Sequence, residues 1–142
     1  TIYGLSQNAE GCGSGSIRSF GGAAAAKPQL CSLGFTKKTD DKTPLLFADL
    51  AAGKHISEAV IALNRGYGGE ESFSPSTYME IILKDVVICH LGFMDTLGGL
   101  EPEEQIQLSF GKIKWVYYQG SETGMQIGSV EKTYDCVANK VN

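Results

Sequence analysis

Several stretches of the chain alternate apolar and polar residues, which is the pattern of a half-buried β-strand. The clearest is CSLGFT at 31–36, in which every second residue is apolar. The longest runs from Met79 to Leu91 with apolar residues at every odd position except Asp85, and its opposite side is apolar as well at 86–88. This run predicts a long, curved strand that is partly covered on both sides. Shorter alternating runs lie at 59–63 and 134–138.

The last long strand, QIQLSFGKIKWVYYQ at 105–119, changes phase in its middle. Its apolar residues lie at even positions up to Phe110 and at odd positions from Ile113 onwards. The change falls at Gly111, and one extra residue at a glycine is how a β-bulge bends a strand. We therefore predict a β-bulge at Gly111 and a bent strand of the kind found at the corners of β-barrels.

One segment, 43–53, has apolar residues at helical spacing instead, with two leucines four positions apart. Thr43 is placed to be the N-cap, and Pro44 suits the first helical position because it has no N–H to leave unpaired. Gly53 supplies the left-handed residue that ends a helix. The Gly-Lys pair at 53–54 therefore ends a helix, whereas a nucleotide-binding loop places this pair where a helix begins. Nucleotide binding is excluded on this basis.

The stretch 8–29 is rich in glycine, serine and alanine and follows neither period, which predicts an extended loop. Its GCGSGS sequence is not a dinucleotide-binding turn, because no helix begins at its last glycine. Ile17 and Phe20 are apolar residues of this loop that have no periodic partner. We expect them to contact another molecule instead of the core of their own chain.

Length and composition fit a single domain over 1–142, since 42% of the 142 residues are hydrophobic. Eighteen glycines against four prolines favour a β-rich fold with many tight turns. The net charge is −4 and no basic run is interleaved with aromatic residues, so nucleic acid is not an expected partner. The chain has no stretch of 18 apolar residues and no signal-peptide pattern at its start, so we expect neither membrane insertion nor export by the ordinary route.

The four cysteines, Cys12, Cys31, Cys89 and Cys136, are too widely spaced for a metal-binding finger, so no metal site is predicted. Three of them lie among alternating apolar residues, where cysteine acts as a small hydrophobic residue. We therefore expect Cys31, Cys89 and Cys136 to be reduced and shielded, with disulfides as the alternative. Cys12 lies in the polar loop and should be the first to react with thiol reagents.

No arrangement of residues indicates catalysis, so neither enzyme activity nor a cofactor is predicted. The two histidines, His55 and His90, have no nucleophile at a recognisable spacing and are assigned structural or surface roles. The acidic residues at 101–104 lie beside a turn and are interpreted as solvated charges. A small hydrolase that uses Glu103 or Glu104 is the alternative from a different class of function.

Three stretches, taken in order, resemble the Hcp family, the tube protein of bacterial type VI secretion. They are LGFTKKTDDKTPLLFADLAAGKHISEAVI, IILKDVVICHL and EEQIQLSFGKIKWVYYQ, and they lie within 31–119. A helix that ends in G-K-H, combined with a strand that reads L-x-F-x-K-I, distinguishes the family. The terminal TYDCVANKV is also similar to the last strand of the family.

The resemblance implies an antiparallel β-barrel of two sheets with one short flanking α-helix. Family members have two further strands before the position where this chain starts, so we expect the N-terminal strands of the barrel to be missing from it. The implied protein forms hexameric rings that stack as a tube inside a contractile sheath. The tube is expelled and carries or chaperones effectors, with a spike protein as a further partner.

The resemblance also implies that the protein is made in the bacterial cytoplasm and secreted to the extracellular space without a signal peptide. Family members have an extended loop, here 8–29, that contacts the neighbouring ring. Ile17 and Phe20 are therefore assigned to ring stacking. A tail-tube protein of a phage-like contractile particle is the nearest alternative function.

Overall fold

The computed structural model describes residues 2–6, 31–67, 74–94, 102–120 and 126–142. Within these ranges it has one helix, α1 (Thr43–Ala51), and all strand pairings are antiparallel. The predicted fold class, mainly β and antiparallel with one short helix, is therefore confirmed. The strands are β1 (Ile2–Ser6), β2 (Ser32–Lys38), β3 (Ile56–Tyr67), β4 (Ser74–Met94), β5 (Glu103–Gly120), β6 (Gln126–Asp135) and β7 (Lys140–Val141).

Strand β5 organises the sheet. The strand order is β1-β2-β5-β4-β3, and β6 pairs with both β5 and β7. One edge of β5 follows β4, whereas the other edge pairs with β2 as far as Ser109 and with β6 from Lys112 onwards. The described strands therefore form one hydrogen-bonded network, and its two halves meet at the middle of β5.

The hydrophobic core lies on one side of this network. Leu83, Val86 and Ile113 have no exposed surface, and burial of an aliphatic side chain of this size contributes about 1.5–3 kcal/mol to stability. Helix α1 packs against this core through Leu46 and Leu50, the two leucines at helical spacing, which are half-buried. The amphipathic pattern of the segment thus decides which side of the helix faces the sheet.

In both β4 and β5, the buried side chains switch between odd and even positions, and the two switches lie at the same point of the sheet. In β5, Phe110 and Ile113 are both buried, so the phase change predicted at Gly111 is confirmed. The opposite residue in β4 is Asp85, whose φ of +55° lies in the left-handed region. The register between the strands is unbroken here, so neither strand gains a residue and the predicted β-bulge is wrong. A Cβ atom at position 111 would lie 3.2 Å from the Cβ of Asp85, which is closer than most Cβ contacts. Because glycine has no Cβ, the kinked segments of the two strands can lie directly opposite each other.

The alternation predicted for 79–91 is wrong in its second half. Buried residues occupy odd positions before Asp85 and even positions after it, as at Val86 and Ile88. A register shift directly after Ile88 then restores the odd phase. Cys89 lies at this shift and is exposed, so the prediction that it is shielded is also wrong. Successive side chains of a strand point to opposite sides of the sheet. The kink at Asp85 and the register shift after Ile88 therefore each exchange the side chains that face the core for those that face away from it.

Cys31 and Cys136 form a disulfide, so the prediction that both are reduced is wrong. Cys31 directly precedes β2, and Cys136 directly follows β6. Because β2 and β6 share one edge of β5 and end on either side of its kink, the two cysteines meet there with their Cα atoms 5.8 Å apart. Alternation within a strand carries no information on this pair, whose members are 105 positions apart. Cys12 lies outside the described residues.

The beginning of α1 differs from the prediction. Lys42 is the N-cap and makes no side-chain capping hydrogen bond, so the assignment of Thr43 to that position is wrong. The Thr43 hydroxyl accepts a hydrogen bond from the backbone N–H of Asp40 at 3.1 Å, and Asp40 Oδ1 accepts one from the N–H of Lys42 at 2.9 Å. These bonds form a turn before the helix. The Thr43 hydroxyl oxygen, which would accept the hydrogen bond of a threonine cap, is engaged in this turn instead. Pro44 lies in the first helical turn, where no N–H is required.

The end of α1 is a Schellman motif. Ala52 is the C-cap and Gly53 follows it with φ of +58°. The N–H of Gly53 donates to the carbonyl of Leu50 at 3.0 Å, and the N–H of Lys54 donates to that of Asp49 at 2.9 Å. These are the two hydrogen bonds that define the motif, and they require a left-handed residue at position 53.

A buried ion pair fixes the connection between β2 and α1. Glu104 is fully buried and lies opposite Lys37 in the register of β2 and β5. The Lys37 Nζ lies 2.5 Å from Glu104 Oε1 and 2.9 Å from Asp40 Oδ1, and it donates to the carbonyl of Lys38 at 2.9 Å. Burial by itself lowers the pKa of Lys37, but the hydrogen bonds and charges of the two carboxylates outweigh burial and raise it. Lys37 therefore supplies the positive charge that a buried carboxylate requires.

The substitution Gly53→Val should lower the free energy of unfolding by ~1–2 kcal/mol, because a β-branched residue is strained at positive φ. A Cβ atom at this position meets no heavy atom within 4 Å, so the loss is expected from backbone strain alone. Gly53→Asn is the matched control and should cost less, since asparagine tolerates the left-handed region. Denaturant titration of the three proteins measures both effects. An unchanged midpoint for the valine variant would show that the helix does not depend on this conformation.

The substitution Glu104→Ala should lower the free energy of unfolding by about 3 kcal/mol, because it leaves the ammonium group of Lys37 without its buried partner. Glu103→Ala, one position away and half-buried, is the control and should cost well under about 1 kcal/mol. The double variant Lys37→Met/Glu104→Leu should recover much of the loss, because no buried charge remains. Equal stabilities of the Glu104→Ala and Glu103→Ala variants would contradict the role assigned to the pair.

Candidate interaction surface

The residues considered for catalysis are not brought together. His55 Nε2 lies 3.9 Å from Asp85 Oδ1, and both side chains are more than 60% exposed. His90 is exposed near the register shift of β4. Within the described ranges, no three His, Cys, Asp or Glu side chains are placed to hold a metal ion. Two exposed side chains at this distance do not form a preorganised catalytic group.

Of the two carboxylates considered for a hydrolase, Glu104 is engaged by Lys37, which also binds Asp40. Glu104 has no exposed surface and is paired with Lys37, so no substrate can contact it. The hydrogen bond from Lys37 and that from the N–H of Lys42 hold the pKa of Asp40 below its usual value. Glu103 is half-buried, and Glu101 lies outside the described residues. Glu103 and Glu104 are therefore not a pair of carboxylates open to a common substrate.

The side of the sheet that faces away from the core carries an unexpected group of apolar residues. Val60 and Ile82 lie directly opposite each other in β3 and β4. In the adjacent row, Ala62 of β3 and Val116 of β5 lie on either side of Glu80 of β4. Val60 is 51% exposed and Ala62 is exposed, whereas Val116 is buried without belonging to the core cluster. We call these four residues the outer patch.

Charged side chains surround the outer patch on four strands. Lys84 Nζ lies 3.8 Å from Glu58 Oε2, and Lys114 Nζ lies 2.7 Å from Glu131 Oε2. On the same side, Lys112 Nζ lies 3.1 Å from Asp135 Oδ2. Exposed ion pairs of this kind contribute little to stability, at about 0–1 kcal/mol each. Their arrangement around an apolar centre matches the anatomy of a protein–protein interface, which has an apolar core and a polar rim.

Hydrogen bonds hold two carboxylates of this surface, Glu80 and Asp135, in place. The hydroxyl of Tyr118 donates to Glu80 Oε2 at 2.7 Å, and this bond raises the pKa of Tyr118. Asp135 Oδ1 accepts hydrogen bonds from the N–H groups of Val137 and Ala138 at 3.0 and 2.9 Å. The hydrogen bond from the N–H of Ala138 and, as the next largest cause, the hydrogen bond from the Lys112 side chain lower the pKa of Asp135. The rim is thus ordered before any partner binds, which reduces the entropy cost of binding.

The residues predicted for ring stacking, Ile17 and Phe20, lie outside the described residues. The alternation pattern does not predict the outer patch, because at 59–63, at 105–119 and before Asp85 in β4 it marks only one side of the strand as apolar. The available signal was the presence of adjacent apolar pairs, such as Val60 next to Ile61 and Ile82 next to Ile81. An apolar residue on both sides of a strand indicates that both sides are covered, by the chain itself or by a partner.

Other exposed apolar residues lie away from the outer patch. Phe93 is 59% exposed and packs against Phe47 of α1 with ring centroids 5.4 Å apart. Tyr117 and Val130 lie opposite each other on the core side of β5 and β6, at 44% and 54% exposure. Val137, in the turn after β6, is 90% exposed. No helix in the described part of the chain is long and apolar enough to cross a membrane.

The chain is similar to proteins of type VI secretion in sequence and in fold. Protein hcp1 of Pseudomonas aeruginosa is 29% identical over 106 residues, which cover 75% of this chain and 63% of that protein. A type VI secretion system effector from Yersinia pestis has a TM-score of 0.66 at 22% identity, with 95% of this chain and 82% of that chain covered. Hcp1 from Salmonella typhimurium has a TM-score of 0.68 at 23% identity, with 99% and 82% covered. These two structures have the same fold.

A family match supports the same relationship from the sequence alone. Residues 1–117 match the family described as "Type VI secretion system effector, Hcp". The match spans most of the 142 residues and includes the whole of β2, α1, β3 and β4. The chain therefore belongs to the Hcp family of type VI secretion system proteins.

Proposed function

We propose that the chain is the structural tube component of a type VI secretion system. It forms hexameric rings that stack, are expelled, and carry or chaperone effectors. The observation that carries the proposal is the family match over residues 1–117. Its partners are further copies of itself, the spike protein, the contractile sheath and the effector cargo. The protein is made in the bacterial cytoplasm and reaches the extracellular space through the secretion system.

The proposed function is structural and involves no catalysis. Glu104, one of the two residues considered for a hydrolase, is enclosed and neutralised by Lys37. The exposed pair of His55 and Asp85 has no nucleophile described beside it. What the described surface offers is contact area of the kind used in protein assembly.

The outer patch supports the assembly of a ring. A closed ring requires a heterologous interface, in which one patch on each subunit meets a different patch on the next. The outer patch of Val60, Ala62, Ile82 and Val116 extends over β3, β4 and β5, and charges of both signs surround it. We assign it to one half of the interface between neighbouring subunits. The occupant is a second copy of this chain, because self-assembly is the proposed function.

The substitution Val60→Asp should reduce ring formation at least tenfold, because it places a charge in the apolar centre of the interface. Val137→Asp is the matched control, since Val137 is also an exposed valine but lies outside the outer patch. Native mass spectrometry and negative-stain electron microscopy over a range of concentrations measure the assembly. Rings of uniform diameter for the control and folded monomers for Val60→Asp are the expected result. Intact rings in both variants would show that the outer patch is not an interface.

The ring-stacking assignment of Ile17 and Phe20 leads to a separate prediction. The double variant Ile17→Ser/Phe20→Ser should keep its hexamers but form shorter stacks or none at high concentration, because it loses the apolar contacts to the next ring. The conservative variant Ile17→Leu/Phe20→Leu should still stack. Native mass spectrometry reports the hexamer, and tube lengths in electron micrographs report stacking. Folded monomers for the serine variant would place the loop in the ring interface instead.

A further inference from the structure

We propose that Cys31 and Cys136 form a reversible covalent seam, open as a dithiol where the protein is made and closed as a disulfide where it is delivered. The seam lies at the middle of β5, where one edge of that strand passes from β2 to β6. The change of compartment rests on the proposed function. The formation of the disulfide within the folded protein does not rest on the proposed function, because it follows from the strand pairing alone.

Backbone hydrogen bonds hold both cysteines in place whether or not the sulfur atoms are joined. The carbonyl of Cys31 accepts a hydrogen bond from the N–H of Phe110 at 3.2 Å. The N–H of Cys136 donates to the carbonyl of Gly111 at 2.9 Å. The two residues are therefore attached to consecutive positions of β5. Their Cα separation of 5.8 Å lies within the range that a disulfide requires, about 4.4–6.8 Å.

The chemistry needs an external oxidant, which is a small-molecule disulfide such as oxidised glutathione. One cysteine, as its thiolate, attacks a sulfur atom of the small molecule and releases the first small-molecule thiol. The second cysteine attacks the mixed disulfide and releases the other thiol. Two protein thiols thus lose two electrons and two protons, and the oxidant gains them. Both cysteines are half-buried, so neither is enclosed in the core.

Closure of the seam should stiffen one particular part of the fold. The β2 half and the β6 half of the sheet have no described pairing with each other, and both attach to β5. The disulfide joins them directly and closes a loop of more than 100 residues. The turn after β6 lies immediately beside this link. The pairing of β4 with β5 extends on both sides of the seam and does not need it.

The first test uses the full chain in purified form. The protein is reduced with dithiothreitol, freed of it, and exposed to oxidised glutathione without denaturant. Cys89→Ser is the control, because Cys89 lies outside the seam, and Cys31→Ser/Cys136→Ser is the variant that cannot close. Wild type and control should form the Cys31–Cys136 disulfide, gain about 10 °C in Tm, and show slower hydrogen exchange at the Cys136 amide. The double serine variant should show none of these changes.

Two outcomes of this test overturn the proposal. One is that the disulfide forms only after denaturant is added, because the cysteines would then not be juxtaposed in the folded protein. The other is that oxidation leaves both Tm and exchange at the Cys136 amide unchanged.

The second test examines the compartments. Thiols in producing cells and in the culture medium are trapped by acid and alkylated, and peptides containing Cys31 and Cys136 are identified by mass spectrometry. Alkylation of both residues inside cells and a linked pair outside is the expected result. A linked pair inside cells overturns the coupling to delivery. If the chain does not reach the medium, the proposed function fails, and the first test alone decides whether the seam closes in the folded protein.

Discussion

The kink shared by β4 and β5 sets the strand pairing around it and the positions of the two disulfide-bonded cysteines. Asp85 and Gly111 oppose each other, and both strands change their buried side there without losing register. The kink divides the other edge of β5 between β2 and β6, and this division brings Cys31 and Cys136 together. A side chain at position 111 would crowd Asp85, so the paired kink depends on one glycine.

Charged groups have two separate roles in this fold. The enclosed pair of Lys37 and Glu104 ties the connection before α1 to the start of β5, where the loss of either partner would leave a charge without compensation. The exposed pairs on the outer side contribute little to folding and instead surround an apolar centre. Buried charge therefore positions the helix, whereas exposed charge borders a surface suited to contact.

Membership of the Hcp family gives these features a common context. The fold is retained at 22–23% identity to solved relatives, which fits a sheet whose pairing depends on backbone groups more than on particular side chains. A structural role in assembly requires a rigid sheet with accessible flanks, and it does not require a group of reactive side chains in a pocket. The enclosed Glu104 and the open outer patch are consistent with such a role.

The sequence predicts the features that depend on neighbouring residues: the alternation at 31–36 and 59–63, the phase change at Gly111, the left-handed Gly53 and the family motifs. It did not determine the N-cap, because the Thr43 hydroxyl is used by the turn at Asp40. The kink at Asp85, the disulfide and the outer patch arise from the tertiary structure instead. Each of these depends on which residues lie opposite one another in separate strands, and a pattern read along one strand does not contain that register.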